Sequence, residues 1–501
     1  MKLGTHCEQV GASGVGELSP KAISPIIGVI SRIMQDSQSR RDSPLFMIFM
    51  KGNEDCNHMS EVSQDSDAPS VRAQLNSREM SLGQWEVVLL CTAINMLDGY
   101  DVLVMSFAAA PVAADWRLDP ASLGLLLSAG LIGMALGSIL LGSLADALGR
   151  KRLVHICLVT VTIGMVASAY AQSQPQLLAL RFVTGVGIGG MLATLTTLVS
   201  EYSNDKRRGI CMGLLQSGYP LGALLGGMIA AQIIQFADWR SLFLFGGGLS
   251  ALLLPLVIAR LPESLDFLSR SDTSVAENTK KRLLERFGLS EPRPSVVEES
   301  GRSVSGWRSC FTPAEVRRNT LLLWSCYLAL MFSFYFVVSW TPKLLVEAGL
   351  STSQGISAGA TLQAGGLIGA LVMGLLGSRY AVKRLVAWFF ALSVVSILAY
   401  GWVDGELAVL LILSATMGFF LIGAMIGLYT IGPALYDSKS RVTGVGLAIG
   451  VGRLGAIVAP LVGGFMLEAN LDVNLIYALF AAPLVLAGFA ARSITVPMAF
   501  R

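Results

Sequence analysis

Two carboxylates, Asp98 and Asp101, stand inside a stretch from Trp85 to Ala114 that otherwise reads as a membrane-crossing helix. After Glu86 they are its only charges, near the point where the bilayer midplane falls. One central Asp costs about 2.5–3.5 kcal/mol on insertion scales, so an unmitigated pair costs about twice that. Spaced i, i+3, they share a helix face and can point into one polar cavity. Carboxylates held there mark a path for an ion or a substrate, and a proton is the ion they bind most simply.

Other residues are placed to join that chemistry. Arg453 sits about twelve residues into an apolar stretch that begins at Arg441, or about 18 Å along a helix. Desolvating a guanidinium there makes sense when a carboxylate completes it. That carboxylate is either a substrate's or, in the empty protein, Asp98 or Asp101. Arg181 opens the run Arg181-x-x-x-Gly185-x-Gly187-x-Gly189-Gly190 about two turns from a helix end, where snorkelling is the alternative to a buried role. Glu201 closes the same helix as a gate, a cap or a solvated end. Tyr100, Tyr219, Phe334 and Tyr335 offer stacking faces for a ring-bearing substrate, although packing is the commoner use of any one aromatic.

The elements that position these residues follow from composition. With 53% hydrophobic and 14% charged residues and a mean hydropathy of +0.62, the chain reads as an all-α polytopic membrane protein. A net charge of +3 is too small to suggest nucleic-acid binding. The seven cysteines show no paired spacing, and the three histidines form no ligand set. With no nucleophile–base constellation either, an enzyme, a metal and a cofactor are not expected.

Apolar runs long enough to cross a bilayer recur at 85–114, 120–145, 151–172, 176–200, 209–235, 240–260, 318–346, 354–378, 383–402, 406–435, 442–468 and 472–495, giving twelve spans. Lys and Arg collect in alternate loops, at Arg150-Lys151-Arg152, Lys206-Arg207-Arg208, within 261–317, at Arg379 with Lys383-Arg384, and at Lys439 with Arg441. By the positive-inside rule those loops and both termini are cytoplasmic. The expected organisation is a disordered cytoplasmic tail over 1–80 (Met59 offering an alternative start), a six-helix bundle over 81–260, a cytoplasmic loop over 261–316 and a second bundle over 317–501.

An internal repeat joins the bundles. Gly142-SLADALGRK-Arg152 returns in eroded form as Gly374-LLGSRYAVK-Arg384, and Arg208, Gly213 and Gly222 match Arg441, Gly446 and Gly455. The offset of 232 to 233 residues argues for a duplicated six-helix unit whose halves rock about a midplane site. In that register Leu330 and Ser333 stand opposite Asp98 and Asp101, Leu413 opposite Arg181, and Pro220 opposite Arg453. The acidic machinery belongs to the first half and the deepest cation to the second.

In the loop after the second span, Gly142-x-Leu144-Ala145-Asp146-x-x-Gly149-Arg150-Lys151-Arg152 combines a glycine-permitted turn with a carboxylate and a guanidinium able to pair across a helix end. This sequence resembles the signature of the major facilitator superfamily. The resemblance implies two pseudo-symmetric six-helix bundles, a cytoplasmic latch made by Asp146 and Arg150, and a proton-coupling role for Arg181. Ala223 stands where drug/proton antiporters of that superfamily carry Pro, which counts against efflux.

A narrower resemblance rests on Asp98-Gly-Tyr-Asp101 together with Arg441-x-Thr443-Gly444-x-Gly446 and Gly450-x-Gly452-Arg453-x-Gly455. These residues are similar to those of the aromatic acid:proton symporter family over 82–495. The resemblance implies function for Asp98, Asp101, Asp146, Arg150, Arg441 and Arg453, with benzoates, hydroxybenzoates, phenylpropionates and muconates as typical substrates. The expectation is import of an aromatic carboxylate with protons by alternating access, in the inner membrane, by a monomer. Arg453 would take the substrate carboxylate, and Asp101 with Asp98 the proton. A muconate-like dicarboxylate symporter and an efflux antiporter are the alternatives.

Overall fold

The computed structural model describes residues 71–269, 274–289, 311–312, 314–403, 406–436 and 441–495. Residues 1–70, most of the stretch read as a tail, lie outside it. Among the described residues the chain forms fifteen helices: α1 (Val71–Ser77), α2 (Leu82–Trp116), α3 (Pro120–Leu148), α4 (Arg150–Ala169), α5 (Gln174–Tyr202), α6 (Arg208–Phe236), α7 (Arg240–Arg260), α8 (Leu265–Ser269), α9 (Ser274–Phe287), α10 (Ala314–Glu347), α11 (Thr352–Gly377), α12 (Val382–Trp402), α13 (Leu407–Ala434), α14 (Arg441–Glu468) and α15 (Val473–Ser493).

The twelve helices α2–α7 and α10–α15 are long and apolar enough to cross a membrane. Their ends fall within a few residues of those expected, because capping residues set several of them. Ser81 and Gln84 form a capping box at the start of α2, as do Ser351 and Gln354 at α11. Asp119 caps α3 by accepting from the Ser122 N–H, with Pro120 in the first turn. Ser122 also holds the Asp119 carboxyl below the usual carboxylate range, so the cap is charged at neutral pH.

The duplication is visible in the packing itself. Gly133, Gly137 and Gly185 bring α3 and α5 so close that a Cβ would run into the carbonyl oxygens of Phe182, Val186 and Gly130. In the second half Gly365, Gly369 and Gly418 meet the carbonyls of Ala415, Phe419 and Leu362 in the same way. Gly222 against the Met96 carbonyl on α2 is matched by Gly455 against Leu328 on α10. These pairs also correct one expectation. Gly185 corresponds to Gly418, so Ser414 and not Leu413 stands opposite Arg181; the loops of the two halves differ by one residue before α13. Since the neighbours at each crossing are backbone, Gly185→Val and Gly418→Val are each expected to abolish monodisperse protein in detergent, read by size exclusion.

The halves meet near one end of the bundle. Ser106 donates to the Val338 and Ser339 carbonyls (2.7 and 2.8 Å), Ser128 to Ile457 (2.9 Å) and Ser353 to Ala231 (2.7 Å). A Cβ on Gly124 would lie 2.6 Å from the Pro460 carbonyl oxygen, and one on Gly464 2.5 Å from that of Pro120. At the other end Gly209 and Gly213 of α6 and Gly446 and Gly450 of α14 face open space. The cleft between the halves therefore opens toward the end where α5 passes to α6.

That end also carries short helices from segments read as tail and loop. Residues 71–77, the edge of the expected disordered tail, are helical, and Asn76 bonds Asp205. In the linker, α9 is held by Glu86 of α2, which bridges Arg260 (2.7 Å) and Arg286 (2.8 Å). Phe287 packs tilted against Tyr202, with ring centroids 5.0 Å apart. The helical part of the linker thus belongs to the first half.

Candidate functional site

Asp101 is buried and takes Arg181 as its partner, with Nη1 2.9 Å from Oδ1. The guanidinium does not snorkel. Its Nη2 donates to Ser168 (3.0 Å) and Thr184 (3.1 Å), and its carbon lies 4.9 Å from the Phe243 ring centroid. Four helices of the first half, α2, α4, α5 and α7, therefore converge on one ion pair. Hydrogen bonds serve Nη2, which the carboxylate does not reach, while Nε has no partner among the described residues.

Asp98, one turn earlier on α2, is equally buried but has no such partner. Neither of its oxygens, nor Oδ2 of Asp101, meets a hydrogen-bond donor among the described residues. Groups facing Asp98 include Asp101, the Cys157 thiol of α4 and the Tyr219 phenol of α6. Two adjoining cavities lie along α2 beyond this point, and Asp98 lines neither. One is lined by Asp101, Arg181, Thr184, Met105, Leu127 and Met134. The other shares Met105 and Leu127 and reaches Tyr335, Val338 and Ser339 of α10. Together they join both halves.

Arg453 reaches this region from the second half but pairs with neither aspartate. Its Nη1 donates to the Met134 carbonyl of α3 at 2.8 Å, on the wall of the first cavity. The expectation of an Arg453–aspartate pair in the empty protein is thus corrected: Arg181, on the same half as Asp101, takes that place. Tyr335 and Tyr429 interact electrostatically with Arg453, and Tyr219 interacts with both tyrosines and with Asp98. Tyr429 packs on Tyr327 at 5.9 Å.

Two of the proposed stacking faces are elsewhere. The Tyr100 hydroxyl donates to the Leu242 carbonyl (2.8 Å), and its ring is wedged against Gly226, Gly246 and Phe245. Although Tyr100 lies between the two aspartates in sequence, the helix turns it into the first-half core. Phe334 is buried edge-on to Tyr335, supporting that ring and not facing the cavity.

At the open end, the Asp146 side chain lies outside the described residues. Gly149, which starts α4, has φ of +93° and no side chain to cap the helix. Glu263 of the α7–α8 connection supplies the cap, accepting from the backbone N–H groups of Arg150 (2.7 Å) and Lys151 (3.0 Å). A Cβ on Gly149 would lie 2.5 Å from Oε2 of Glu263, which explains the glycine twice over. Glu201 lies against Ser264 and near Arg150, and Tyr202 donates to the Glu263 carbonyl. Glu263 was missed from the sequence; a lone acid after the sixth span, in Leu261-Pro262-Glu263-Ser264, is its only signal. Glu263→Gln is expected to cost about 1 kcal/mol of stability, as a charged cap at a helix N-terminus becomes neutral, and to speed amide exchange in the first turn of α4. Arg441 stands exposed at the start of α14, far from the cavities.

This architecture, two six-helix halves around buried charge, is that of a membrane transporter. The chain matches the Major Facilitator Superfamily model over residues 88–371 and belongs to that superfamily. A gallate transporter of Pseudomonas putida is 33% identical over 427 residues, covering 85% of this chain and 95% of the relative. The 4-hydroxybenzoate transporter PcaK of the same species is 34% identical over 426 residues, covering 83% and 94%. The narrower resemblance to aromatic acid transporters is therefore borne out. Among solved structures, the inward open xylose transporter XylE from E. coli superposes with a TM-score of 0.63 at 17% identity, covering 82% of this chain and 96% of that one, which shows the shared fold.

Proposed function

We propose that this transporter imports an aromatic carboxylate of the benzoate or hydroxybenzoate class together with protons, by alternating access. One observation carries the reading: a half-buried guanidinium, Arg453, faces the first half with only a backbone carbonyl on it among the described residues, while buried carboxylates in that half include one, Asp98, without a donor. A backbone carbonyl neutralises no charge, so an incoming carboxylate is the better partner for Arg453. The substrate names of the gallate and 4-hydroxybenzoate relatives support an aromatic ring, and the partly exposed faces of Tyr219, Tyr335 and Tyr429 suit one.

Asp98 and Asp101 are the proton-binding groups, with Arg181 poised against Asp101. Asp146, Arg150, Glu201 and Arg441 serve the gate at the open end. Read with the positive-inside distribution of Lys and Arg, that end is cytoplasmic, both termini are cytoplasmic, and the state described is inward-open. The protein works as a monomer in the bacterial inner membrane. Purified protein in liposomes tests this: an inward proton gradient should drive accumulation of labelled 4-hydroxybenzoate, competed by benzoates more than by muconate. Accumulation without any response to the gradient, or dominant competition by muconate, would sink the reading.

A further inference from the structure

We propose that Ser339 is a specificity-determining residue of this site, its hydroxyl binding the para hydroxyl of a benzoate whose carboxylate is held by Arg453. The inference rests on the function proposed above and narrows it to 4-hydroxylated rings. Two serines line the second cavity, Ser106 of α2 and Ser339 of α10. They differ in what their hydroxyls already do. Pro342 has no N–H, so the Val338 carbonyl one turn back lacks its helical donor. Ser106 fills that place, its one hydrogen shared between the Val338 and Ser339 carbonyls at 2.7 and 2.8 Å. Its hydrogen is thus spent on the seam between the halves. Ser339 is only 6% exposed, yet its hydroxyl makes no hydrogen bond among the described residues. A serine inside a helix often bonds back to a carbonyl three or four residues earlier. Ser325 and Ser333 of the same helix do so, to Leu322 (2.8 Å) and Ala329 (3.0 Å). Ser339 instead presents its hydroxyl to the cavity.

The two cavities give the ring its direction. Arg453 sits on the Met134 carbonyl at 2.8 Å, and Met134 lines the first cavity. Leu131 and Leu127, the next two turns of α3 toward the closed end, line both cavities. Ser339 shares the second cavity with them. From Met134 to Leu127 α3 advances about 10 Å at 1.5 Å per residue, room for one ring with a polar group at each end. Apart from Ser106, Tyr335 and Ser339 the second cavity has an apolar wall. Tyr335 lies one helical turn nearer the open end, so Ser339 is the deeper polar group of α10. The phenol, the more acidic hydroxyl, donates to Oγ of Ser339, whose own hydrogen can turn to the Tyr335 carbonyl four residues back. An unsubstituted benzoate leaves the buried serine as it found it, without a partner, and forgoes that bond.

The test compares the KM for 4-hydroxybenzoate with that for benzoate, both labelled, in liposomes carrying the purified protein. Ser339→Ala should raise the ratio of the first KM to the second about fivefold, the worth of one neutral hydrogen bond. A ratio that does not move, whether both KM values rise together or neither does, overturns the proposal and leaves Ser339 a packing residue of the cavity wall. Should Ser339→Ala fail to yield monodisperse protein, the wild type decides with 4-methylbenzoate, which matches the para hydroxyl in size but neither donates nor accepts. A KM several-fold above that of 4-hydroxybenzoate supports the assignment, and an equal or lower one overturns it. Wild-type protein that takes up neither benzoate nor 4-hydroxybenzoate defeats the proposed function itself, a result distinct from these.

Discussion

Asp101→Asn is expected to abolish proton-driven uptake and to destabilise the protein by about 3–5 kcal/mol, because Arg181 would be left buried without its charge partner. Thermal unfolding in detergent and gradient-driven uptake measure the two effects separately. The double change Asp101→Asn with Arg181→Gln removes the stranded charge, so it should recover most of the stability and none of the coupling. Stability that is unchanged in the single variant would show that the pair is not buried as described. Uptake that persists at the wild-type rate would remove Asp101 from the proton path. Ser168, Thr184 and the Phe243 face remain around position 181 in either variant, which is why the loss should be confined to the charge pair.

Arg453→Lys is expected to raise the KM for aromatic carboxylates by about tenfold or more, while Arg453→Ala stops uptake at any practical concentration. A lysine keeps the charge but loses the planar fork, and it must choose between the substrate and the Met134 carbonyl that now holds Nη1. The guanidinium can serve both, presenting one edge to each. Km profiles for benzoate and for a neutral ring analogue separate the contributions, since only the anion should feel the change. Equal loss for both compounds would mean that Arg453 acts through the contact between the halves and not through the substrate.

The spans were legible because hydropathy and capping residues act locally, and the twelve helices end close to the expected positions. The repeat was legible because glycines mark the crossings in both halves, down to Gly222 and Gly455. The site was legible in its residue types and not in its pairings. Asp101 and Arg181 lie 80 positions apart, and their union depends on how α2 and α5 rotate against each other. The partner of Arg453 is a backbone carbonyl, which leaves no trace in residue identity. Tyr100 misled because position between the two aspartates says nothing of the face it occupies; at 100° per residue it points away from both. Glu263 escaped notice because the helix it caps begins 113 residues earlier.

The contact that closes one end of the cleft is made from serine hydroxyls, Ser106, Ser128 and Ser353, each donating to a main-chain carbonyl of the opposite half. Such bonds are traded for bonds to water at a net cost of only about 0.5–1.5 kcal/mol apiece. Since every residue carries a carbonyl, the acceptor survives almost any substitution. A seam of this kind holds without locking. In the proposed cycle such a seam would keep the two end states close in free energy, so that a bound anion and a proton suffice to tip the balance.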